Sequence, residues 1–114
     1  MDLNFEMSDR EGVVIVALEG EVDLYTSPQL REKVIELVDT GCRHVIVDLE
    51  KVEFIDSTGL GVLVACLNRL RGNGGDLSLV CTVPRILKVF EITGLLKVFA
   101  ISDSQETALG EGEG

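Results

Sequence analysis

Phe54-Ile55-Asp56-Ser57-Thr58-Gly59-Leu60-Gly61 stands where an apolar strand pattern, Val45 to Leu49, gives way through a link, Glu50 to Ile55, to an apolar helix pattern, Leu60 to Leu70. A strand feeding directly into a helix is the unit from which parallel sheets are built. Asp56 and Ser57 are small, polar and placed where that helix begins. A helix start leaves several backbone N–H groups unpaired and carries partial positive charge, so it suits a side-chain oxygen and tolerates a phosphate. Gly59 and Gly61 each cost about 1 kcal/mol relative to Ala inside a helix. Their expected use is to keep the first turn bare, so that a partner reaches the backbone and Ser57. The competing reading of Ser57 is that of a plain N-cap.

Outward from that stretch, the same alternation of patterns repeats. On the N-terminal side, Leu3, Phe5 and Met7 alternate with polar residues, which predicts a half-buried strand. Ser8 to Gly12 is a turn cluster, and Val13 to Leu18 is a continuous apolar run covered on both faces. The two should form a hairpin. Gly20 to Thr26 reads as a loop, and Thr26-Ser27-Pro28 as a helix start with a hydroxyl cap. Leu30, Val34, Leu37 and Val38 make one helical face, closed by Gly41. His44 to Leu49 is the third strand.

On the C-terminal side, Leu60, Leu63, Val64, Leu67 and Leu70 make the second helical face, ended near Gly72-Asn73-Gly74-Gly75. Leu77 to Cys81 predicts a fourth strand. Pro84 opens a third helix bearing Ile86, Val89 and Phe90, which Gly94 closes. Val98, Phe99 and Ile101 predict a last strand. Ser102 to Gln105 has capping-box spacing for a short final helix. Residues 110–114, alternating Gly and Glu, read as a disordered tail after a single domain over residues 1–109. The expected fold class is α/β, with a mixed, mostly parallel β-sheet, right-handed βα crossovers and four helices.

Composition narrows the function. The chain has 114 residues, 46 % of them apolar, which is enough for one real core. Its formal charge of −10 argues against nucleic acid and against an anionic membrane surface, and suits a basic partner or simply the need to stay in solution. Cys42, Cys66 and Cys81 are odd in number, widely spaced and free of any C-x-x-C, so they read as free thiols in a reducing cytoplasm. No secretory signal pattern opens the sequence, and no apolar run is long enough to span a bilayer. The expected location is the cytoplasm.

Catalytic constellations fail one by one. His44 is the only histidine, and Ile55 occupies the first glycine position of a hydrolase elbow around Ser57. Gly59-Leu60-Gly61 runs on to Val64 where a dinucleotide loop needs Gly or Ala, and no Gly-Lys-Ser/Thr occurs. No cofactor and no metal is expected, and no enzymatic activity. One alternative stays open. Asp23, Asp48 and Asp56 each lie near a predicted strand end, and carboxyl ends of parallel strands gather at one edge. Asp23 and Asp56 together would bind Mg²⁺ or accept a phosphoryl group, as in an acyl-phosphate receiver. The competing reading is ordinary turn aspartates.

Gly20-Glu21-Val22-Asp23 together with Asp56-Ser57-Thr58-Gly59-Leu60-Gly61 resembles the anti-sigma-factor antagonists, bacterial proteins made of a single STAS domain. The resemblance extends to Tyr25-Thr26-Ser27-Pro28-Gln29-Leu30, Val47-Asp48-Leu49 and Ile92-Thr93-Gly94-Leu95, and covers nearly the whole chain. It implies a partner switch. The unmodified form binds an anti-sigma factor that is also a serine kinase with ATP bound, and so frees the sigma factor. Phosphorylation then ends the binding, and a serine phosphatase restores it. By position the resemblance makes Ser57 the phosphoacceptor, bordered by Asp23 and Asp56, with Thr58 a lesser second acceptor. Tyr25, Thr26, Gly59, Leu60 and Gly61 complete the implied partner surface. The same fold also serves as a non-switching STAS subunit of a transporter or stressosome-like assembly, and insensitivity to Ser57 would mark that alternative.

Overall fold

The computed structural model describes residues 2–113, and side chains through Gly110. The strands are β1 (Leu3–Arg10), β2 (Val13–Val22), β3 (His44–Ile55), β4 (Asp76–Val80) and β5 (Ile101–Ser102). The helices are α1 (Ser27–Asp39), α2 (Ser57–Gly72), α3 (Pro84–Ile92) and α4 (Gln105–Glu113). The sheet runs β1-β2-β3-β4-β5, antiparallel at the β1–β2 hairpin and parallel elsewhere.

Period-two alternation decides which helix each strand meets. Val14, Val16 and Leu18 on β2, Val45, Val47 and Leu49 on β3, and Leu77 and Leu79 on β4 share one core with α1, α2 and α3. Ile15, Ile46 and Val80 point to the opposite face and pack under Ala108 of α4. Helix α2 buries Leu60, Leu63, Cys66, Leu67 and Leu70, while Val64 lies on the flank.

Four expectations need correction. The first concerns the stretch after Leu49, which is strand rather than link: β3 continues to Ile55 and pairs with the end of β2, Glu19 to Val22. Gly20, Glu21 and Val22, read as the start of a loop, are therefore strand. Leu49, Val52 and Ile55 are all buried, yet they are spaced by three where a regular strand requires two. Register shifts between Ala17 and Glu19 and between Gly20 and Glu21 leave β3 an extra residue each time. Each such bulge resets which face the next residue takes.

Second, the segment after α3 is not a strand at Val98. Gly94, with φ at 77°, ends α3 in the left-handed region, and Leu95–Lys97 forms a 3₁₀ turn. Phe99 then packs edge-on against Phe90, with centroids 5.9 Å apart, before the short β5. Third, the hydroxyl at α1 is not a cap. Thr26 Oγ1 donates to the Glu21 carbonyl at 2.7 Å and accepts the Asp23 N–H at 3.0 Å. Fourth, the cap of α4 is Ser104, whose Oγ accepts the Thr107 N–H at 3.1 Å. Backbone helix also takes in residues 110–113, read from sequence as tail, and Gly114 lies outside the described residues. Among the described residues no helix is long and apolar enough to cross a membrane.

Candidate functional site

Parallel pairing of β2 with β3 sets Val22 opposite Ile55, so the segments that follow them emerge side by side at the carboxyl edge of the sheet. One is the four-residue turn Asp23 to Thr26, and the other is the start of α2. Asp56 is the N-cap of α2, extended at φ −103° and ψ −178°. Its Oδ1 accepts the Gly59 N–H at 2.8 Å, and its carbonyl accepts the Leu60 N–H at 3.0 Å. The Ser57 and Thr58 N–H groups of the first turn are left without a protein acceptor among the described residues. Both of their side chains are exposed. Ser57 is therefore not the cap. Its hydroxyl stands free in solvent, one residue past a capping carboxylate and beside two unclaimed donors.

The Asp23 turn is built by its own side chain. Asp23 Oδ1 accepts the Tyr25 N–H at 2.9 Å and the Thr26 N–H at 3.0 Å. Burial pushes the Asp23 carboxyl up, and the bonds from Thr26 and Tyr25 outweigh it, so the group stays below its ordinary value. This turn thrusts Leu24 and Tyr25 outward, 57 % and 78 % exposed. Phe54, the residue before buried Ile55 on β3, is 49 % exposed beside them. These three side chains, with Glu21, Asp23 and Asp56, line a shallow cleft of about 340 Å³. Large apolar groups left in water beside carboxylates are what a docking surface presents.

The predicted site residues divide accordingly. Tyr25, Ser57, Thr58 and Gly61 lie on the surface, and Asp56 is partly exposed. Thr26, at 2 % exposure, Gly59 and Leu60 are buried, so they shape the site from beneath. The purpose assigned to Gly59 is corrected by its packing. A Cβ there would meet the Val22 carbonyl oxygen at 2.5 Å and Val22 Cγ1 at 2.9 Å. Gly59 lets the helix start sit directly on the end of β2. Gly61 has nothing within 4 Å of a Cβ position, so a side chain there would stand in open space. Gly61→Ala should therefore raise stability by about 0.5–1 kcal/mol. A melting temperature that falls instead would show that the open space at Gly61 is needed by the fold.

The three aspartates do not converge. Asp48 lies within β3, opposite Ala17 and Val80, and its Oδ2 accepts from Gln105 Nε2 at 2.6 Å. Asp23 and Asp56 both stand at this sheet edge, but Asp23 Oδ1 and both carboxylate oxygens of Asp56 accept backbone N–H groups. Among the described residues no group of three His, Cys, Asp or Glu side chains could hold a metal ion. His44 stands at the opposite end of β3 from Ser57. Leu24 and Phe54 are the functional candidates missing from the sequence reading. Phe54 is turned outward by the strand itself, since neighbours on a strand face opposite ways and Ile55 is buried, but the bulges before it hide that strand from the sequence pattern.

Comparison with known proteins agrees with the fold. The STAS domain family model matches residues 4–108. The chain is 33 % identical over 114 residues to the anti-sigma F factor antagonist of Paenibacillus polymyxa, covering 99 % of this chain and 97 % of that one. Among solved structures, it is similar to an anti-sigma factor antagonist from Mycobacterium paratuberculosis, with a TM-score of 0.90 and 28 % identity over 99 % of this chain and 96 % of the other. It is also similar to the Bacillus cell fate determinant SpoIIAA in the phosphorylated form, with a TM-score of 0.73, 25 % identity, and 95 % and 98 % of the two chains covered.

Proposed function

The chain belongs to the STAS domain family, and from there we propose that it is an anti-sigma factor antagonist whose binding is switched off by phosphorylation of Ser57. The unmodified protein binds an anti-sigma factor of the serine-kinase type and so releases a sigma factor. The kinase, using its own ATP, transfers a phosphoryl group to the Ser57 hydroxyl, and a serine phosphatase reverses the step. The observation that carries this reading is the free Ser57 hydroxyl at the exposed start of α2, next to an apolar cleft with an acidic rim. The names of the relatives support the partner, and a similar structure solved in a phosphorylated form supports the modification.

The chemistry of the site suits a switch better than a catalyst. A phosphate adds about −1.5 to −2 charges and several acceptor oxygens. The Ser57 and Thr58 N–H groups give those oxygens local donors. A partner surface fitted to a bare hydroxyl would meet a bulky dianion. The experiment is to incubate the protein with candidate serine-kinase anti-sigma factors and ATP, and to follow binding and intact mass. One added phosphate on the wild type and none on Ser57→Ala supports the reading. A phosphate still added to Ser57→Ala moves the acceptor to Thr58 or elsewhere and defeats the assignment.

The apolar cleft supplies the anchors for docking. Tyr25→Ala and Phe54→Ala should each weaken binding by about tenfold or more, roughly 1.4 kcal/mol, as expected for aromatic anchors at an interface. Their exposure means that melting temperatures should hardly move. Calorimetric titration that finds both variants as tight as wild type would remove the cleft from the interface.

A further inference from the structure

Asp56 joins three segments of the chain. Its N–H donates to the Val22 carbonyl at 3.2 Å, at the end of β2. Its Oδ1 accepts from Gly59 in α2 at 2.8 Å. Its Oδ2 accepts the Leu24 N–H at 3.1 Å, across a separation of 32 residues. A helix cap needs one acceptor, and Ser, Asn or Asp would provide it equally well. The second oxygen is spent on the turn. Within that turn Asp23, Tyr25 and Thr26 have their N–H groups held by side chains of the turn itself. Among the described residues, Leu24 is the one whose N–H is held from outside it.

We propose that Asp56 is a positioning residue: it latches the Asp23–Thr26 turn to the start of α2 and holds Leu24 and Tyr25 in the pose on which a partner docks. The docking half of this rests on the function given above, and the latch itself rests on the hydrogen-bond geometry. Without the latch the turn stays closed upon itself but is free to move against α2. Anchors already held in their bound pose lose less freedom on association, so a latched turn binds more tightly than a loose one. The latch also ties the turn to the residue next to Ser57, so the phosphoacceptor and the anchors share one rigid mount.

Asp56→Asn separates the two duties. Its Oδ1 still caps Gly59, while its amide nitrogen sets a donor against the Leu24 N–H. Asp56→Ser is the second variant, with a hydroxyl that caps the helix and is too short to reach Leu24 as well. In the protein alone, hydrogen exchange of the Leu24 amide should quicken by about tenfold or more in both variants, with Leu63 and Leu67 unchanged. Unchanged Leu24 exchange overturns the latch. With the serine-kinase anti-sigma factor that binds wild type, either variant should bind about tenfold more weakly, mostly through a faster koff. Added to Tyr25→Ala, Asp56→Asn should weaken binding by clearly less than it does alone, because one of the two anchors it positions is already gone. Full additivity would make Asp56 a direct contact and overturn its positioning role. If Ser57→Glu binds as tightly as wild type, the phosphorylation switch falls, while Leu24 exchange still decides the latch by itself.

Discussion

A phosphate on Ser57 should weaken binding to the serine-kinase anti-sigma factor by about ten- to a thousandfold, or about 1.4–4 kcal/mol, and leave the fold in place. The fold is spared because the opposing terms at the helix start are small. A charge beside the Asp56 carboxylate is repelled by about 1 kcal/mol per unit at 4 Å in water. The helix dipole returns about 0.3–1 kcal/mol, and the Ser57 and Thr58 N–H groups are open to donate to the new oxygens without displacing Asp56 from Gly59. The buried face of α2, from Leu60 through Leu70, points away from the phosphate. The whole loss therefore falls on the complex. Ser57→Ala should stay bound with ATP present, because the acceptor oxygen is gone and the small shape remains. Ser57→Glu should bind weakly. Equal affinities for wild type and Ser57→Glu would contradict this.

Gly59→Ala should have the largest effect on stability, a loss of about 2–4 kcal/mol. The added methyl would meet a backbone oxygen, Val22 O at 2.5 Å, with Val22 Cγ1 and Ile55 Cγ1 close behind. A flexible side chain could swing aside, but the end of a paired strand cannot. The same Val22 carbonyl accepts the Asp56 N–H at 3.2 Å, so pushing it away also disturbs the cap. At roughly 4–8 °C per kcal/mol, the melting temperature should drop by about 8–30 °C. The contrast with Gly61→Ala, two residues on, is the sharpest part of the prediction. If thermal melts place the two variants together, Gly59 is not a packing glycine.

What was legible in the sequence follows from what repeats locally. Val45 to Leu49 and Leu60 to Leu70 carry pure strand and helix periods, so the strand–helix unit and the position of Asp56 and Ser57 between them could be read directly. The strand beyond Leu49 could not, because two bulges change its parity and Leu49, Val52 and Ile55 then match no single period. The two glycines look alike in sequence. Only Val22, brought in by strand pairing, makes Gly59 a contact and leaves Gly61 open. Leu24 and Tyr25 have no periodic neighbours to assign them a face; the Asp23 turn does that. Thr26 has the residue type of a cap, yet its hydroxyl is drawn into the turn by Glu21 and Asp23.

The most direct measurement is titration of the serine-kinase anti-sigma factor with two preparations of this protein, one unmodified and one carrying a single phosphate located on Ser57 by mass spectrometry, with amide spectra of both. The unmodified form should bind and the modified form should bind at least about tenfold more weakly. Spectral differences should be confined to Asp23–Thr26 and the first turns of α2. Equal affinity of the two forms, or a loss of binding accompanied by shifts spread through α3 and β5, would contradict a local switch at Ser57.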